Sequence, residues 1–171
     1  MKNNYFNPLR FLWTAVLGLF FVTAQAQLEK DKVYRFDNVG YAGYSLAATS
    51  TKAATAQTTN ADAKSQMWYV SDTKTENDVT SYRLRNVGNG YYLQGARAST
   101  AWAFVDGSVS EKVYLYLRSI TSGGNTYYTL SVTNEDGGRN KMHCDGSKNI
   151  VGWSFTDNNH TQWSITEVEM T

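Results

Sequence analysis

The chain has 171 residues, a formal net charge of +1 and a single cysteine, Cys144. A near-neutral balance lacks the basic footprint of a nucleic-acid binder and the Lys/Arg-rich face of a membrane-surface helix, and one cysteine excludes an internal disulfide framework. Aromatic residues make up 14% of the chain, so a core short of aliphatic residues has to lean on Tyr and Trp, whose rings bury large areas and carry polar handles.

Residues 1–26 read as an export signal. Lys2 and Arg10 supply a positive start, residues 11–22 an apolar run, and Ala24-Gln25-Ala26 a small-x-small cleavage pattern. The run is too short for a spanning helix of about 20 residues, and no cysteine follows it to accept a lipid anchor. Cutting before Gln27 leaves one domain, 27–171, whose net charge is −1, because Lys2 and Arg10 leave with the signal and no acid does. That domain is expected to be secreted or periplasmic, bacterial in origin, monomeric and not inserted in a membrane.

A skeleton then occurs three times. The first copy opens at Val33-Tyr34-Arg35-Phe36-Asp37-Asn38-Val39-Gly40 and closes at Gln66-Met67-Trp68; the second opens at Ser81-Tyr82-Arg83-Leu84-Arg85-Asn86-Val87-Gly88 and closes at Val113-Tyr114; the third opens at Tyr127-Tyr128-Thr129-Leu130 and closes at Gln162-Trp163. Opening tyrosines fall at 34, 82 and 128 and closing aromatics at 68, 114 and 163, a spacing of 46 to 49 residues. Self-similarity at such a period marks one structural unit used repeatedly, none of which buries its apolar face alone. Apolar and polar residues alternate at Tyr82-Arg83-Leu84-Arg85 and Val113-Tyr114-Leu115-Tyr116-Leu117, the period of a half-buried strand. Gly88-Asn89-Gly90 and Ser122-Gly123-Gly124-Asn125 punctuate these runs as turns. The Ala/Thr-rich stretch 47–64 is read as strand and loop, because the other copies hold Trp102-Ala103-Phe104-Val105 and Trp153-Ser154-Phe155 there. The fold class expected is all-β, with minimal helix.

Tyr82-Arg83-Leu84-Arg85-Asn86, Gly90-Tyr91-Tyr92-Leu93, Trp102, and the closing Gln66-Met67-Trp68 resemble the ricin B-type β-trefoil lectins in their order. The resemblance runs over residues 33–168 and implies a β-trefoil of three sequential repeats of about 47 residues. It assigns the closing aromatics Trp68, Tyr114 and Trp163 to packing around a three-fold axis rather than to a ligand.

The resemblance also implies a shallow sugar site in each copy, made of an acid or amide for hydroxyls and an aromatic for the sugar's C–H face. Aligned copies place Ala47, Gln94 and Asp145 at the polar position and Ala56, Trp102 and Trp153 at the stacking position. Copy one lacks both groups. Gln94 with Trp102 and Asp145 with Trp153, supported by Asn159 and His160, are the carbohydrate-binding candidates. Core packing of Trp102 and Trp153, and a plain turn at Asp145-Gly146, are the alternatives. Three-fold packing argues against the core alternative, since it would ask for the same bulk at Ala56.

Catalysis has thin support. His143 and Cys144 are adjacent, and neighbours on a strand point to opposite faces; the spacing of His143, Cys144, Asp145 and His160 matches no common zinc pattern. No cofactor or metal is expected. The functional expectation is a non-enzymatic, secreted module that binds glycans weakly at one or two sites. Its alternative is a trefoil scaffold for protein interaction or inhibition, with 72–80 as the recognition loop.

Overall fold

A computed structural model describes residues 28–49, 53–97, 99–106, 112–134, 140–154 and 158–170. The signal segment 1–26, Phe155 and Asp157 lie outside the described residues. Twelve strands and two 3-10 turns make up the regular structure there, with no α-helix.

Six strands form a closed ring. β1 (Val33–Asn38) pairs with β4 (Trp68–Glu76), β4 with β5 (Val79–Asn86), β5 with β8 (Leu115–Ser122), β8 with β9 (Asn125–Ser131), β9 with β12 (Trp163–Glu167), and β12 returns to β1. Two-residue turns join β4 to β5 and β8 to β9. Asn77 and Asp78 have φ of 49° and 61°, and Gly123 and Gly124 have φ of 58° and 80°. Positive φ at both central residues is what a type I′ hairpin turn needs. The segment 72–80 is therefore mostly paired strand rather than a free recognition loop.

The other six strands form three hairpins: β2 (Tyr44–Ala48) with β3 (Ala54–Thr58), β6 (Tyr92–Gln94) with β7 (Ala103–Val105), and β10 (Lys141–Cys144) with β11 (Ile150–Trp153). Bridges at Ala53–Ala103, Thr55–Asn149 and Ala101–Val151 tie each hairpin to the other two. They form a triangular cap, and the core lies between cap and ring.

Register corrects one closing position. Tyr34 stands opposite Trp68 and Tyr128 opposite Trp163, but Tyr82 stands opposite Leu115. Leu115 is buried, whereas Tyr114 is half-exposed and donates its hydroxyl to Asp72 Oδ2 at 2.7 Å. A slip of one residue moves a side chain to the other face, so the second closing core residue is a leucine. Trp68 and Trp163 are wholly buried, and each indole N–H reaches a cap hairpin, at Leu46 O (3.1 Å) and Met142 O (3.2 Å).

Cap packing is asymmetric. Leu46, Leu93 and Met142 occupy equivalent buried positions, opposite Ala56, Phe104 and Gly152. One rung further along stand Ala54 and Ile150, opposite Ala48 and Cys144, and in the second hairpin Trp102. Bulk from the second hairpin fills what alanine and glycine leave open in the others, since interiors are filled to crystal-like density. Trp102 is 0% exposed, donates its indole N–H to Ala96 O at 3.1 Å, and crowds Gly95, where a Cβ would lie 3.3 Å from its ring and 2.0 Å from Val132. Trp102, expected to face a sugar beside Gln94, is thus a core residue. Bulk at Ala56 is not needed because Trp102 and Phe104 supply it.

Candidate functional site

The third hairpin, the turn after β1 and the 3-10 turn Asn159–Thr161 meet in one aromatic cluster. Along β10, Met142 and Cys144 enter the core while His143 faces the other way; along β11, Ile150 and Gly152 enter and Trp153 faces out, half-buried. The His143 imidazole stacks on Trp153 with ring centroids 5.0 Å apart and planes at 22°. His160 stands edge-on to His143 at 5.9 Å and leans on Tyr41 at 4.3 Å. Tyr41 meets Tyr44 edge-to-face at 6.5 Å.

Local chemistry fixes each member. The Asn158 side chain accepts the His160 backbone N–H at 2.8 Å, capping the short turn. Buried Asn38, from the opening motif, donates to His160 O at 3.1 Å and accepts from Tyr41 N at 2.9 Å, joining the two loops. Gly40 makes room: a Cβ there would lie 2.3 Å from His160 Nδ1. Its absence lets the imidazole lie across the backbone.

Asp145 ends the hairpin tip. Its Oδ1 accepts from the backbone N–H of Ser147 (2.8 Å) and Asn149 (2.9 Å), and its Oδ2 from the Asn149 amide at 3.2 Å. These bonds hold a three-residue turn whose last member, Lys148, sits at φ 67°, a left-handed conformation that normally favours glycine or asparagine. The turn throws the Lys148 ammonium over Tyr41, 3.3 Å from the ring centroid and 5.2 Å from that of Tyr44. Cation–π attraction of this kind contributes about 0.5–1 kcal/mol near a surface.

The sequence candidates are therefore distributed as follows. Trp153, Asn159 and His160 belong to two of the meeting elements. Asp145 belongs to the same hairpin but at its tip, four residues from the Lys141 rung that faces Trp153, about 13 Å along a strand. Its carboxylate is committed to its own turn, so the turn alternative describes it. Gln94 is half-exposed on β6 opposite Ala103, away from this cluster. The position equivalent to Gln94 in the third hairpin is His143, because Met142, not Cys144, matches Leu93. Tyr41, Lys148 and the role of His143 were not found from sequence. A glycine after the opening asparagine and a lysine in a tight turn were the signals available.

Burial, and secondarily the neighbouring His160, hold His143 below the usual imidazole range, with Asp145 opposing. The Nδ1 atoms of His143 and His160 are buried without a hydrogen-bond partner. Cys144, on the opposite side of the strand, is a free, wholly buried thiol that burial pushes up to about 12. Among the described residues no group of three His, Cys, Asp or Glu side chains is placed to hold a metal ion, and no helix is long and apolar enough to cross a membrane.

No protein-family model and no curated protein matches the sequence. Solved structures do match in fold. A ricin B-like lectin of Macrolepiota procera in complex with lactose superposes with a TM-score of 0.62 at 16% identity, over 81% of this chain and 97% of the lectin. The Polyporus squamosus lectin bound to Neu5Acα2-6Galβ1-4GlcNAc gives 0.62 at 16% identity, over 82% of this chain and 50% of that one. The Rhizoctonia solani agglutinin gives 0.60 at 13% identity, over 82% of this chain and 98% of the agglutinin. The ring and cap are those of the β-trefoil, a fold on which carbohydrate-binding lectins are built.

Proposed function

We propose that the protein is a non-enzymatic carbohydrate-binding module whose sugar site is the surface around Trp153. The observation that carries this reading is the meeting of Trp153, His143, His160 and Tyr41 rings from three chain segments at one surface. A half-exposed indole offers a C–H stacking face. The exposed Asn159 amide both donates and accepts, as hydroxyl recognition requires. Asp145 acts by shaping the turn that carries Lys148.

In this reading the chain consists of three copies of a unit of about 47 residues, exported after loss of residues 1–26, and acts as a monomer. The Trp153 site binds weakly, near about 1 mM or −4 kcal/mol, the scale of a shallow wet site. Multivalent presentation of the glycan raises the apparent affinity. Nucleic acid is not a partner.

The test is a glycan-array screen followed by titration of lactose and a sialylated N-acetyllactosamine, observing the Trp153 indole signal by NMR. Binding should shift that signal, and in Trp153→Ala the same sugars should no longer perturb the His143 and His160 ring signals. A screen without hits, and no indole shift at millimolar sugar, overturns the reading. A second reading, a trefoil scaffold for protein interaction without a sugar site, draws on the Asp145 carboxylate, which accepts three hydrogen bonds within its own turn.

A further inference from the structure

A second constellation lies on the outer wall of the ring. Strand β5 sends Tyr82 and Leu84 inward, and alternation turns Arg83 and Arg85 outward. Both guanidinium groups converge on Tyr92 at the start of β6, with Cζ atoms 3.7 Å and 5.9 Å from the ring centroid. Two like charges against one ring repel each other. Asp31 accepts the Tyr69 hydroxyl at 2.5 Å; Asp72 accepts that of Tyr114 at 2.7 Å and faces Lys112 at 3.7 Å. Among the described residues no carboxylate forms an ion pair with Arg83 or Arg85. Arg83 Nε is buried without a partner. Arg85 Nε is tied to Gly90 O at 2.9 Å, which orients the guanidinium and leaves its terminal nitrogens unspent. Beside Arg85 opens a cavity of about 210 Å³ that Tyr69, Asn86 and Met170 help to line.

We infer that Arg85 and this cavity, with Arg83 adding positive charge from beside Tyr92, form a binding site for an oxyanion, sulfate or carboxylate, carried on an acidic sugar. The guanidinium fork matches planar or tetrahedral oxyanions through paired N–H donors. Tyr69 and the Met170 side chain supply apolar surface for the C–H face of the ring bearing the anion. The site is separate from the Trp153 cluster and does not depend on it.

The probes are sodium sulfate, sodium glucuronate and neutral glucose, titrated at constant ionic strength set with sodium chloride. The readout is the NMR signals of the Tyr69 and Tyr92 rings in the parent, R85Q, R83Q/R85Q and W153A. Sulfate or glucuronate, but not glucose or chloride, should shift these signals in the parent and in W153A. R85Q should weaken binding about tenfold, the loss of one charge-assisted hydrogen bond, and R83Q/R85Q should abolish it. Equal shifts with chloride, undiminished binding in R85Q, or loss of binding in W153A would each overturn the site. If R83Q/R85Q does not fold, R85Q decides alone, because the Arg85 side chain is exposed.

Discussion

The exchange of Leu115 for Tyr114 as the second closing residue can be tested by a pair of substitutions. Leu115 is 1% exposed, stands opposite Tyr82, and packs so close to Gly95 that a Cβ there would lie 3.2 Å from its Cδ2. Leu115→Ala removes three buried carbons and leaves a cavity that the ring and cap cannot close, costing about 3–5 kcal/mol. Against a total of about 5–15 kcal/mol for a domain, that is a large fraction. Tyr114→Phe removes only the hydroxyl bond to Asp72 and leaves the ring in place, costing about 0.5–1.5 kcal/mol. With a slope of about 2 kcal/mol per molar urea, the unfolding midpoint should fall by about 2 M for the leucine variant. It should fall by about 0.5 M for the tyrosine variant. Urea titration followed by circular dichroism reads both. A larger loss in Tyr114→Phe than in Leu115→Ala would refute the register argument.

Trp163→Ala should cost about 3–5 kcal/mol, because it empties the core and strands the Met142 carbonyl; a urea midpoint within error of the parent would contradict this. His143 titrates below its ordinary value of 6.5 in the folded protein, so the unfolded chain takes the proton first as pH falls. The stability this group contributes is complete above about pH 6.5 and declines as pH drops toward its folded value; His143→Gln should flatten the decline in urea titrations between pH 7 and 5. Cys144, with its thiol pushed up to about 12, should react with a disulfide reagent at pH 8 only when the domain opens. Its labelling rate should therefore follow added urea, and rapid labelling of the native protein would contradict the burial.

The strands were legible because alternation and dense turn residues leave little else for these segments to do, and Gly123-Gly124 fell where a tight turn was needed. Two alignments were not legible, for one reason. Strand patterns have a period of two, so Met142 and Cys144 both satisfy the inward positions of β10. Choosing Cys144 as the match to Leu93 moved the polar position from His143 to Asp145 without breaking any alternation. In the second copy Tyr114 and Leu115 both serve as large residues, and only pairing with Tyr82 separates them. The core role of Trp102 was hidden differently. Symmetry in sequence suggested symmetry in bulk, yet the cap needs only a filled total volume, which Trp102 and Phe104 meet against Ala54, Ala56 and Gly152. Trp153 was legible as a candidate aromatic, but Tyr41, which joins its cluster through His160 and His143, is distant in sequence and was not.

Asp145 separates a sugar contact from a structural part, and its substitution tells them apart. A carboxylate that received sugar hydroxyls could be removed with little effect on folding. Here it accepts three hydrogen bonds within its own turn and holds Lys148 at φ 67°. Losing a side-chain cap of this kind costs about 0.5–2 kcal/mol, so Asp145→Ala should lower the urea midpoint measurably. It should also release Lys148 from Tyr41 and weaken glycan binding indirectly. Asp145→Asn keeps one acceptor oxygen, and Oδ1 alone receives both backbone N–H groups, so it should recover most of the stability. If binding recovers with it, the carboxylate charge has no direct part in recognition. If Asp145→Asn is as stable as the parent yet loses binding, Asp145 meets the sugar itself; if Asp145→Ala folds with an unchanged midpoint, its role as turn former falls.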